Sequence, residues 1–498
     1  MIASPALYRS GDLPVDAVLI IPPPSPSDTN PPLGPAIIDQ VATRAGINTV
    51  TIDLNAINIA RHKNMLMRRA TNALGDHGKD RRLVAHAARS TFEATGLADA
   101  EPMYLPDGAD AIAGMHFALD TLDAYVGRAI NTSTFWTEWL EAELYSRFSG
   151  EPPVLGVSLM GPAQVFAALV VFKLTKQRWP TTLTVLGGSH ATLLSREIAK
   201  DPRYRSDIDF VLPGHTEDEF VDMLARLREI GDVPAPGRSK PPFEYLPRFS
   251  REQLLLYDPS KITLPLQFTR GCAYARCTFC TYPVVEPILT PFDVDGATAA
   301  ITKLVEQYGI RRFSIKDSLF TGPMMDALAD SLLANAAQIE WSMTTKVTTS
   351  LAHRASKLGQ AGLKTVELGV ESIHRHTQAL FDKRADRAII ENVILALAEA
   401  NITVIVNLIF GAPGETIQDA QRQLDWFIAL RSQAPSRIDC SLNLLEIVRG
   451  SPLEISPPAG TQLQGIAPWA YSYQWNAPPW RREFAQNLQA VQLLEVGD

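Results

Sequence analysis

Short apolar runs alternate with amphipathic stretches along the first half of the chain. Five of these runs predict buried parallel strands, at 17–21, 48–52, 154–158, 182–186 and 208–212. The segments between several of them, such as PAIIDQVATRAG, repeat apolar residues at helical spacing. A strand, helix, strand order predicts an open, doubly wound α/β sheet that binds ligands at its carboxyl edge. We expect this first domain to cover 1–230.

The spacing between the second and third predicted strands is unusual. About a hundred residues separate them, far more than one crossover needs. Helical patterns near 81–98 and 109–148 carry several aromatic residues, including Phe135, Trp136 and Trp139. The pattern therefore predicts a helical insertion over about 57–150, which serves either as extra core or as a lid over the sheet edge.

The second half of the chain repeats the alternation. Six runs predict strands, at 262–268, 311–315, 339–345, 364–370, 402–410 and 438–445. Six β/α units predict a partial barrel over 251–455, since a complete TIM barrel has eight. The segment GDVPAPGRSKPPFEYLP is dense in proline and glycine and predicts a linker over 231–250. The tail from 456 to 498 has little periodicity, and we expect it to cover the substrate site.

Composition narrows the class of protein. The 498 residues are 46% hydrophobic and 20% charged, which is typical of a globular chain. A net charge of −8 argues against nucleic acid as the main partner. The opening MIASPALYRSGDLPVD predicts no signal peptide, and the apolar run VFAALVVFKL is interrupted by Lys173 and too short to span a bilayer. We therefore expect a cytoplasmic protein with neither a membrane nor a nucleic-acid partner.

Three cysteines directly after the first predicted barrel strand are the main chemical signal. Cys272, Cys277 and Cys280 have the spacing C-x4-C-x2-C, and Cys440 is the one other cysteine in the sequence. Three thiolates are one short of the four that ligate a [4Fe-4S] cube, which would leave one iron open. Zinc, which usually takes four ligands with paired spacing, and thiols without a metal are the alternatives. Cys440 is expected to be a buried, inert thiol, so no second cluster is predicted.

Several motifs in order carry a family resemblance. RGCAYARCTFC resembles the cluster loop of radical S-adenosylmethionine (SAM) enzymes, with one residue more than the commonest spacing between the first two cysteines. GVES, FGAPGET and RGSPLE follow the fourth, fifth and sixth barrel strands, as in that family. In the first half, VLGVSLMGPAQ, VLGGSHAT and DFVLPGHTEDEF resemble cobalamin-binding domains. The chain thus resembles the class B radical SAM methyltransferases, which carry an N-terminal cobalamin-binding domain.

The resemblance implies a Rossmann-like cobalamin-binding domain followed by a partial (β/α)6 radical SAM barrel. It implies a [4Fe-4S] cluster held by the catalytic ligands Cys272, Cys277 and Cys280, together with SAM and cobalamin. Reductive cleavage of SAM would give a 5′-deoxyadenosyl radical that abstracts hydrogen from an unactivated carbon. The cofactor supplies that reactivity and the protein supplies the placement.

The resemblance also implies roles in cofactor binding for residues of the barrel. Phe279 and Tyr274 would shape the cluster loop near the adenine of SAM. Asp317 would replace the acidic residue that binds the methionine amino group, and Lys346 would pair with the carboxylate unless it is simply solvated. Residues of the GVES motif would contact SAM, although a helix N-cap is an alternative for the last two: Gly369, Glu371 and Ser372.

In the first domain the resemblance implies cobalamin contacts at Gly187, Gly188 and His190. A tight turn and a structural histidine are the respective alternatives. The Asp-x-His-x-x-Gly motif that supplies a cobalt ligand in many corrinoid proteins is not in the sequence. We therefore expect no histidine ligand of that type below the corrin, and a domain that no longer binds cobalamin remains an alternative.

The function implied by the resemblance is methyl transfer to an unactivated carbon of a natural-product intermediate or a ribosomal peptide. A radical cyclase, rearrangement or oxidation enzyme is the second possibility, and a non-catalytic corrinoid- or cluster-binding protein is the third. The expected partners are a small-molecule or peptide substrate and an electron donor such as flavodoxin or ferredoxin.

Overall fold

The computed structural model describes residues 15–23, 29–60, 119–131, 134–202, 204–227, 246–465 and 468–493. Most of the predicted linker, the segment 61–118 of the predicted insertion and part of the loop after the first strand lie outside these residues. The chain divides into two compact units. The first contains the described residues of Met1–Arg238, Pro247–Ile262 and Ile466–Ser472, and the second contains those of Ser239–Leu246, Thr263–Gly465 and Tyr473–Asp498.

Residues 251–262 were predicted as part of the barrel and 468–472 as part of the tail, and in this division both group with the first unit.

A parallel sheet forms the centre of the first unit. Its strands have the order β2-β1-β3-β4-β5, and neighbouring strands are parallel. The strands begin and end within two residues of the predicted positions: β1 Ala17–Ile21, β2 Thr49–Asp53, β3 Val154–Ser158, β4 Leu183–Gly187 and β5 Phe210–Val211. The order reverses between β1 and β3, and ligands of open α/β sheets bind at such a switch point. The doubly wound α/β fold predicted for this half is therefore confirmed.

Helices cover this sheet, and their burial follows from their composition. The run VFAALVVF is buried along its whole length in the core of the unit, which explains its uniform apolarity. Trp136 and Trp139 pack edge to face at 5.4 Å beside it. No helix in the described part of the chain is long and apolar enough to cross a membrane. The helices are α1 Leu33–Arg44, α2 Leu119–Asn131, α3 Phe135–Glu143, α4 Val165–Arg178, α5 Ser189–Ile198, α6 Glu217–Leu227 and α7 Arg251–Leu254.

Six parallel strands in chain order form the sheet of the second unit. Each strand pairs with the next, from β6 to β11, which is the order of a partial (β/α)6 barrel. Their ends also lie within two residues of the predicted ones. The strands are β6 Leu264–Leu266, β7 Arg312–Ile315, β8 Glu340–Lys346, β9 Leu363–Glu371, β10 Thr403–Phe410 and β11 Ile438–Leu444. Two short strands, β12 Ile447–Val448 and β13 Ser472–Tyr473, pair with each other in a separate two-stranded sheet.

The helices of the second unit begin and end at clear signals. Asp293 accepts backbone N–H bonds from the first turn of one helix, which ends at Gly309 with φ +69°. Thr416 and Asp419 form a capping box at the start of another. The helices are α8 Tyr282–Val285, α9 Val294–Tyr308, α10 Gly322–Ala334, α11 Thr349–Gln360, α12 Arg375–Leu380, α13 Arg387–Glu399, α14 Ile417–Arg431, α15 Pro452–Ile455 and α16 Arg481–Leu493.

The two faces of the barrel sheet differ in polarity. Val366, Leu368, Val404 and Val406 alternate along β9 and β10 and are fully buried. The residues of the opposite face are half-buried or exposed and mostly polar: Thr344, Glu367, Asn407, Asp439 and Ser441. A closed TIM barrel fills its interior with branched apolar side chains, whereas this open barrel leaves a polar inner face.

Two findings concern the C-terminal part of the chain. Trp469 lies in the first unit, where its indole N–H donates to Asp201 at 3.3 Å and its ring meets Tyr204 edge to face. The tail from 456 to 498 is therefore divided between the units. Cys440 is half-buried on β11, whereas we expected a buried thiol.

Candidate functional site

The three cysteines lie on the loop that follows β6, at the carboxyl end of the barrel strands. Gly271 precedes them with φ +79°, and a Cβ there would lie 2.7 Å from the carbonyl oxygen of Ile288. Only glycine allows this close approach of two backbone segments. The backbones of Arg270 and Thr290 are also joined, because Thr290 donates its N–H to Arg270 and accepts the N–H of Arg270 on its hydroxyl. The loop is thus fixed before the first cysteine.

Two buried carboxylates brace the start of this loop. Asp317, after β7, accepts the N–H of Phe268 at 2.7 Å and both the N–H and the hydroxyl of Thr269. Burial raises the pKa of Asp317 to about 7, although these hydrogen bonds favour the ionised form. Glu286 accepts the N–H of Gly271 at 3.1 Å and the hydroxyl of Ser318 at 2.8 Å. The hydrogen bonds of Asp317 thus join it to the start of the cysteine loop, and its predicted contact with the amino group of SAM remains a prediction.

The thiols themselves fit a cluster. All three are free and half-buried, and Cys272 and Cys280 each accept a backbone N–H at 3.4 Å, from Ala275 and Tyr282. Burial raises the pKa of Cys277, and burial together with the neighbouring thiols raises that of Cys280 to about 11. Ionised sulfurs at this place therefore need a cation, which the irons of a cluster provide.

In the described part of the chain, no three His, Cys, Asp or Glu side chains are gathered for a single metal ion. A cube binds each thiolate at a separate iron, and so does not require the three sulfurs to converge on one point.

Ala275, between the first two cysteines, adopts a left-handed backbone conformation with φ +48°. This left-handed residue follows Tyr274, whose hydroxyl donates to the backbone oxygen of Asp382. The ammonium of Lys346, at the end of β8, lies 3.4 Å from the centre of the Tyr274 ring. The guanidinium of Arg276 lies 4.8 Å from the same ring centre. Tyr274 is thus in contact with two cations beside the thiols.

The aromatic residue of the C-x-F-C segment belongs to a small apolar cluster. Phe279 meets Phe381 edge to face at 5.1 Å, and the cluster also includes Ile409 of β10 and Ala412 of the loop that follows. The neighbouring Thr278 donates its hydroxyl to Leu380 and accepts the N–H of Leu453 in the RGSPLE motif. The motifs that are far apart in sequence therefore meet around Phe279, where its predicted contact with adenine remains a prediction.

The GVES motif places a buried ion pair near the thiols. The register between β9 and β10 shifts after Gly369, so that Glu371 pairs with Leu408 and adopts φ +65°. Its carboxylate lies 3.0 Å from the ammonium of Lys383, and each side chain is only 9% exposed. Burial opposes the charge of Lys383, but Glu371 and then Cys277 outweigh it and raise its pKa. Glu371 is therefore engaged with Lys383 and does not cap a helix.

Ser372 is fully buried, and its hydroxyl accepts the N–H of His374, the residue just before α12. It therefore shapes the turn before that helix.

Sequence reasoning missed Glu286 and Lys383. Glu286 lies six residues after the last cysteine in a proline-rich segment, and its partners come from two other loops. Lys383 follows a short helix and has no motif of its own. For Glu286 the sequence offers one signal, a charged residue between apolar neighbours in VVEPI. Lys383 has no such signal, because it lies between the charged residues Asp382 and Arg384.

The glycines and the histidine of the first unit are explained largely by the fold. A Cβ on Gly188, whose φ is +100°, would lie 2.4 Å from the oxygen of Leu159, while Gly187 has no such close neighbour. His190 is 2% exposed, and its ring stacks on Tyr471 at 5.7 Å. Gly188 thus serves a close approach of two backbone segments, and the cobalamin contacts of all three residues remain predictions.

Gln164 was also missed, although it joins the two loops at the switch point. Its amide nitrogen donates to the oxygen of Pro22 after β1 at 2.6 Å, and its amide oxygen accepts the N–H of Met160 after β3 at 2.8 Å. The carboxyl ends of β1 and β3 are therefore held at a fixed separation, as a ligand crevice between them requires.

Comparison with known proteins agrees with this geometry. Residues 266–427 match the sequence model of the Radical SAM superfamily. The anaerobic magnesium-protoporphyrin IX monomethyl ester cyclase of Rubrivivax gelatinosus is 23% identical over 298 residues, which are 54% of this chain and 52% of the cyclase. The chain spans about half the length of the curated cyclases it matches.

Two solved structures share the fold. The radical SAM methyltransferase TsrM from Kitasatospora setae, with cobalamin and a [4Fe-4S] cluster bound, superposes with a TM-score of 0.58 at 16% identity, over 92% of this chain and 84% of that one. The cobalamin-dependent SAM radical enzyme OxsB, with aqua-cobalamin bound, gives 0.58 at 11% identity, over 92% and 64%. Residues 266–427 therefore form a radical SAM domain, and the chain has the α/β fold of the cobalamin-dependent radical SAM enzymes.

Proposed function

We propose that this protein is a cobalamin-dependent radical SAM enzyme that transfers a methyl group to an unactivated carbon. The observation that carries the proposal is the triplet of half-buried thiols at the carboxyl end of a six-stranded barrel, in a chain that also has a doubly wound sheet. The superposing TsrM structure is that of a methyltransferase with cobalamin and the cluster bound. The substrate would be a natural-product intermediate or a ribosomal peptide.

Cys272, Cys277 and Cys280 would hold the cluster and leave one iron for SAM. The methionine end of SAM carries a carboxylate and an ammonium, and the neighbouring Lys383–Glu371 pair offers the complementary charges. The apolar cluster around Phe279 would exclude water beside the adenosyl part. These side chains bind and orient, while the cluster and SAM supply the radical reactivity when bound.

Cobalamin would lie at the carboxyl edge of the first sheet and supply the transferable methyl group when bound. The switch point between β1 and β3 supports this site, because Gln164 fixes the two loops there. His190 is buried under Tyr471, which supports a corrin without a ligand from that side chain. The alternative that this domain no longer binds cobalamin is tested by binding of aqua-cobalamin.

The inner face of the barrel supports a substrate with hydrogen-bonding groups. Glu367 of β9 pairs in register with Ile405, two residues before Asn407 on β10, and Ser441 of β11 pairs in register with Asn407. An electron donor such as flavodoxin or ferredoxin would reduce the cluster.

A radical cyclisation without methyl transfer is the second candidate. It is favoured by the similarity to the anaerobic cyclase of Rubrivivax gelatinosus, which covers 54% of this chain. The same cluster and the same hydrogen abstraction would serve both reactions, so the difference lies in the fate of the substrate radical.

The test uses the full chain, reconstituted anaerobically with iron, sulfide and cobalamin and supplied with SAM and dithionite. We expect formation of 5′-deoxyadenosine, and S-adenosylhomocysteine in addition once a methyl acceptor from the genomic neighbourhood is included. Production of 5′-deoxyadenosine without a methylated product, but with a dehydrogenated or cyclised one, supports the second candidate. Absence of both nucleoside products with a fully loaded cluster would support the non-catalytic alternative.

A further inference from the structure

Three cationic side chains lie on or beside the cysteine loop, and two of them are paired with a carboxylate. Lys383 is paired with Glu371 at 3.0 Å, and Arg276 lies 3.5 Å from a carboxylate oxygen of Asp382. Lys346 contacts the Tyr274 ring and has no carboxylate within ion-pair distance among the described residues. Burial lowers the pKa of Lys346, and the charges of Lys383 and Arg276 lower it further, whereas Cys277 and Cys272 oppose this change.

The contact of Lys346 with Tyr274 joins the end of β8 to the cysteine loop. The left-handed Ala275 gives the loop its fourth intervening residue, and Tyr274 reaches the end of β8 from the loop. Lys346 pairs in register with Gly369, and the space beside that glycine is filled by the Glu371–Lys383 ion pair, whose two charges offset each other. An aromatic face attracts a cation without neutralising it. Lys346 therefore keeps a net positive charge beside the thiols.

We propose that Lys346, held on the face of Tyr274, raises the reduction potential of the cluster bound by Cys272, Cys277 and Cys280. Reduction adds one negative charge to the cluster, and a nearby uncompensated ammonium stabilises that charge. Lys383 and Arg276 contribute less because their carboxylate partners offset them. The proposal rests on the cluster, not on methyl transfer or on cobalamin.

The experiment is a redox titration of the anaerobically reconstituted full chain without SAM, followed by the electron paramagnetic resonance signal of the reduced cluster. We expect Lys346→Gln to lower the ratio of reduced to oxidised cluster roughly tenfold at a fixed potential. This corresponds to a reduction potential that is lower by about 59 mV for a one-electron step. Lys346→Arg should keep the wild-type potential. Lys364→Gln is the matched control, because Lys364 is exposed near the opposite end of β9.

Variants of Tyr274 separate the ring from the hydroxyl. Tyr274→Phe removes the hydrogen bonds that the hydroxyl makes with Asp382 and Arg276 but keeps the ring, and it should keep the potential. Tyr274→Leu removes the ring and should shift the potential in the direction of Lys346→Gln. Iron and sulfide content confirm that each variant holds a full cluster. These two substitutions also keep the proposal testable if Lys346→Gln assembles no cluster.

Three results would overturn the proposal: an unchanged potential in a fully loaded Lys346→Gln protein, an equal shift in Lys364→Gln, or an equal shift in Tyr274→Phe and Tyr274→Leu. A loss of SAM affinity in Lys346→Gln at constant potential would assign the lysine to the cofactor carboxylate instead. Failure of the wild-type chain to form a cluster would refute the proposed function itself. That outcome is distinguishable from a failure of the Lys346 proposal, in which the cluster forms but its potential does not depend on Lys346.

Discussion

The carboxylate of Glu371 and the ammonium of Lys383 lie 3.0 Å apart at the carboxyl end of β9, with 9% of each side chain exposed. The pair sits directly over Gly369, where a Cβ would come within 2.8 Å of Glu371 and 2.9 Å of Lys383. The shift in register between β9 and β10 brings Glu371 to this position. One strand irregularity and one glycine thus create a buried ion pair beside the cysteine loop.

Removal of one partner of this pair should destabilise the barrel unit strongly. Lys383→Met leaves the carboxylate of Glu371 buried without a cation, and we expect a loss of about 3–5 kcal/mol in the free energy of unfolding. The double variant with Glu371→Gln and Lys383→Met should recover most of that loss, since no charge remains. Urea unfolding of the cluster-free chain at pH 7 measures both. A double variant no more stable than Lys383→Met would show that the pair is not the cause.

Gly369→Ala should displace the same pair without removing it. The added methyl group meets the flexible ends of two side chains, so we expect a cost of about 1–3 kcal/mol from the forced shift. The affinity of the reconstituted protein for SAM should fall several-fold, because the two charges move from their complementary positions. Gly465→Ala is the control, since a Cβ there meets open space. Equal SAM affinity in both variants would contradict the role of the pair in binding.

The sequence predicts the strands and the cysteine loop well because both depend on local patterns. Every predicted strand has a counterpart whose ends differ by at most two residues, and the thiols lie within one nine-residue segment. The contacts of Lys383 and Glu286 depend on loops that meet only in the folded chain, and no local pattern encodes them. Asp317 illustrates the limit: its place after β7 is predictable, but its three hydrogen bonds to Phe268 and Thr269 are not.

Asp317 should make stability depend on pH in a defined window. Its pKa rises from 3.8 to about 7 on folding, chiefly through burial. Below pH 3.8 the carboxyl is protonated in both states, whereas between that pH and about 7 the folded state retains a proton that the unfolded state has lost. The free energy of unfolding should therefore decrease as pH rises through this window and become level above it.

Comparison of the wild type with Asp317→Asn tests this contribution. The variant loses a hydrogen-bond acceptor for Thr269 and should be less stable at low pH. Its stability should decrease less steeply between pH 4 and 7, because the titrating group is gone. Urea unfolding at intervals of pH measures the two slopes. Parallel slopes would show that Asp317 does not retain its proton in the folded chain.

The first unit shows a different limit of prediction. Its doubly wound sheet follows from the alternation of apolar runs and helices, but the structural reason for Gly188 does not. A glycine between strand and helix is compatible with a ligand or with a tight approach of the chain, and the structure supplies the second explanation through Leu159. His190 is similar, because only the fold reveals that Tyr471, almost three hundred residues away, covers its ring.

Iron content should separate the cysteines of the loop from Cys440. Cys277→Ala removes one of three ligands, and we expect the reconstituted protein to lose the broad absorbance of the cluster and most of its iron and sulfide. Cys440 lies on β11 in register with Val406, away from the loop after β6, so Cys440→Ala should retain about four irons per chain. The matched change of one thiol to a methyl group controls for general damage by the substitution. Equal iron loss in the two variants, or full iron retention in Cys277→Ala, would refute the assignment of ligands.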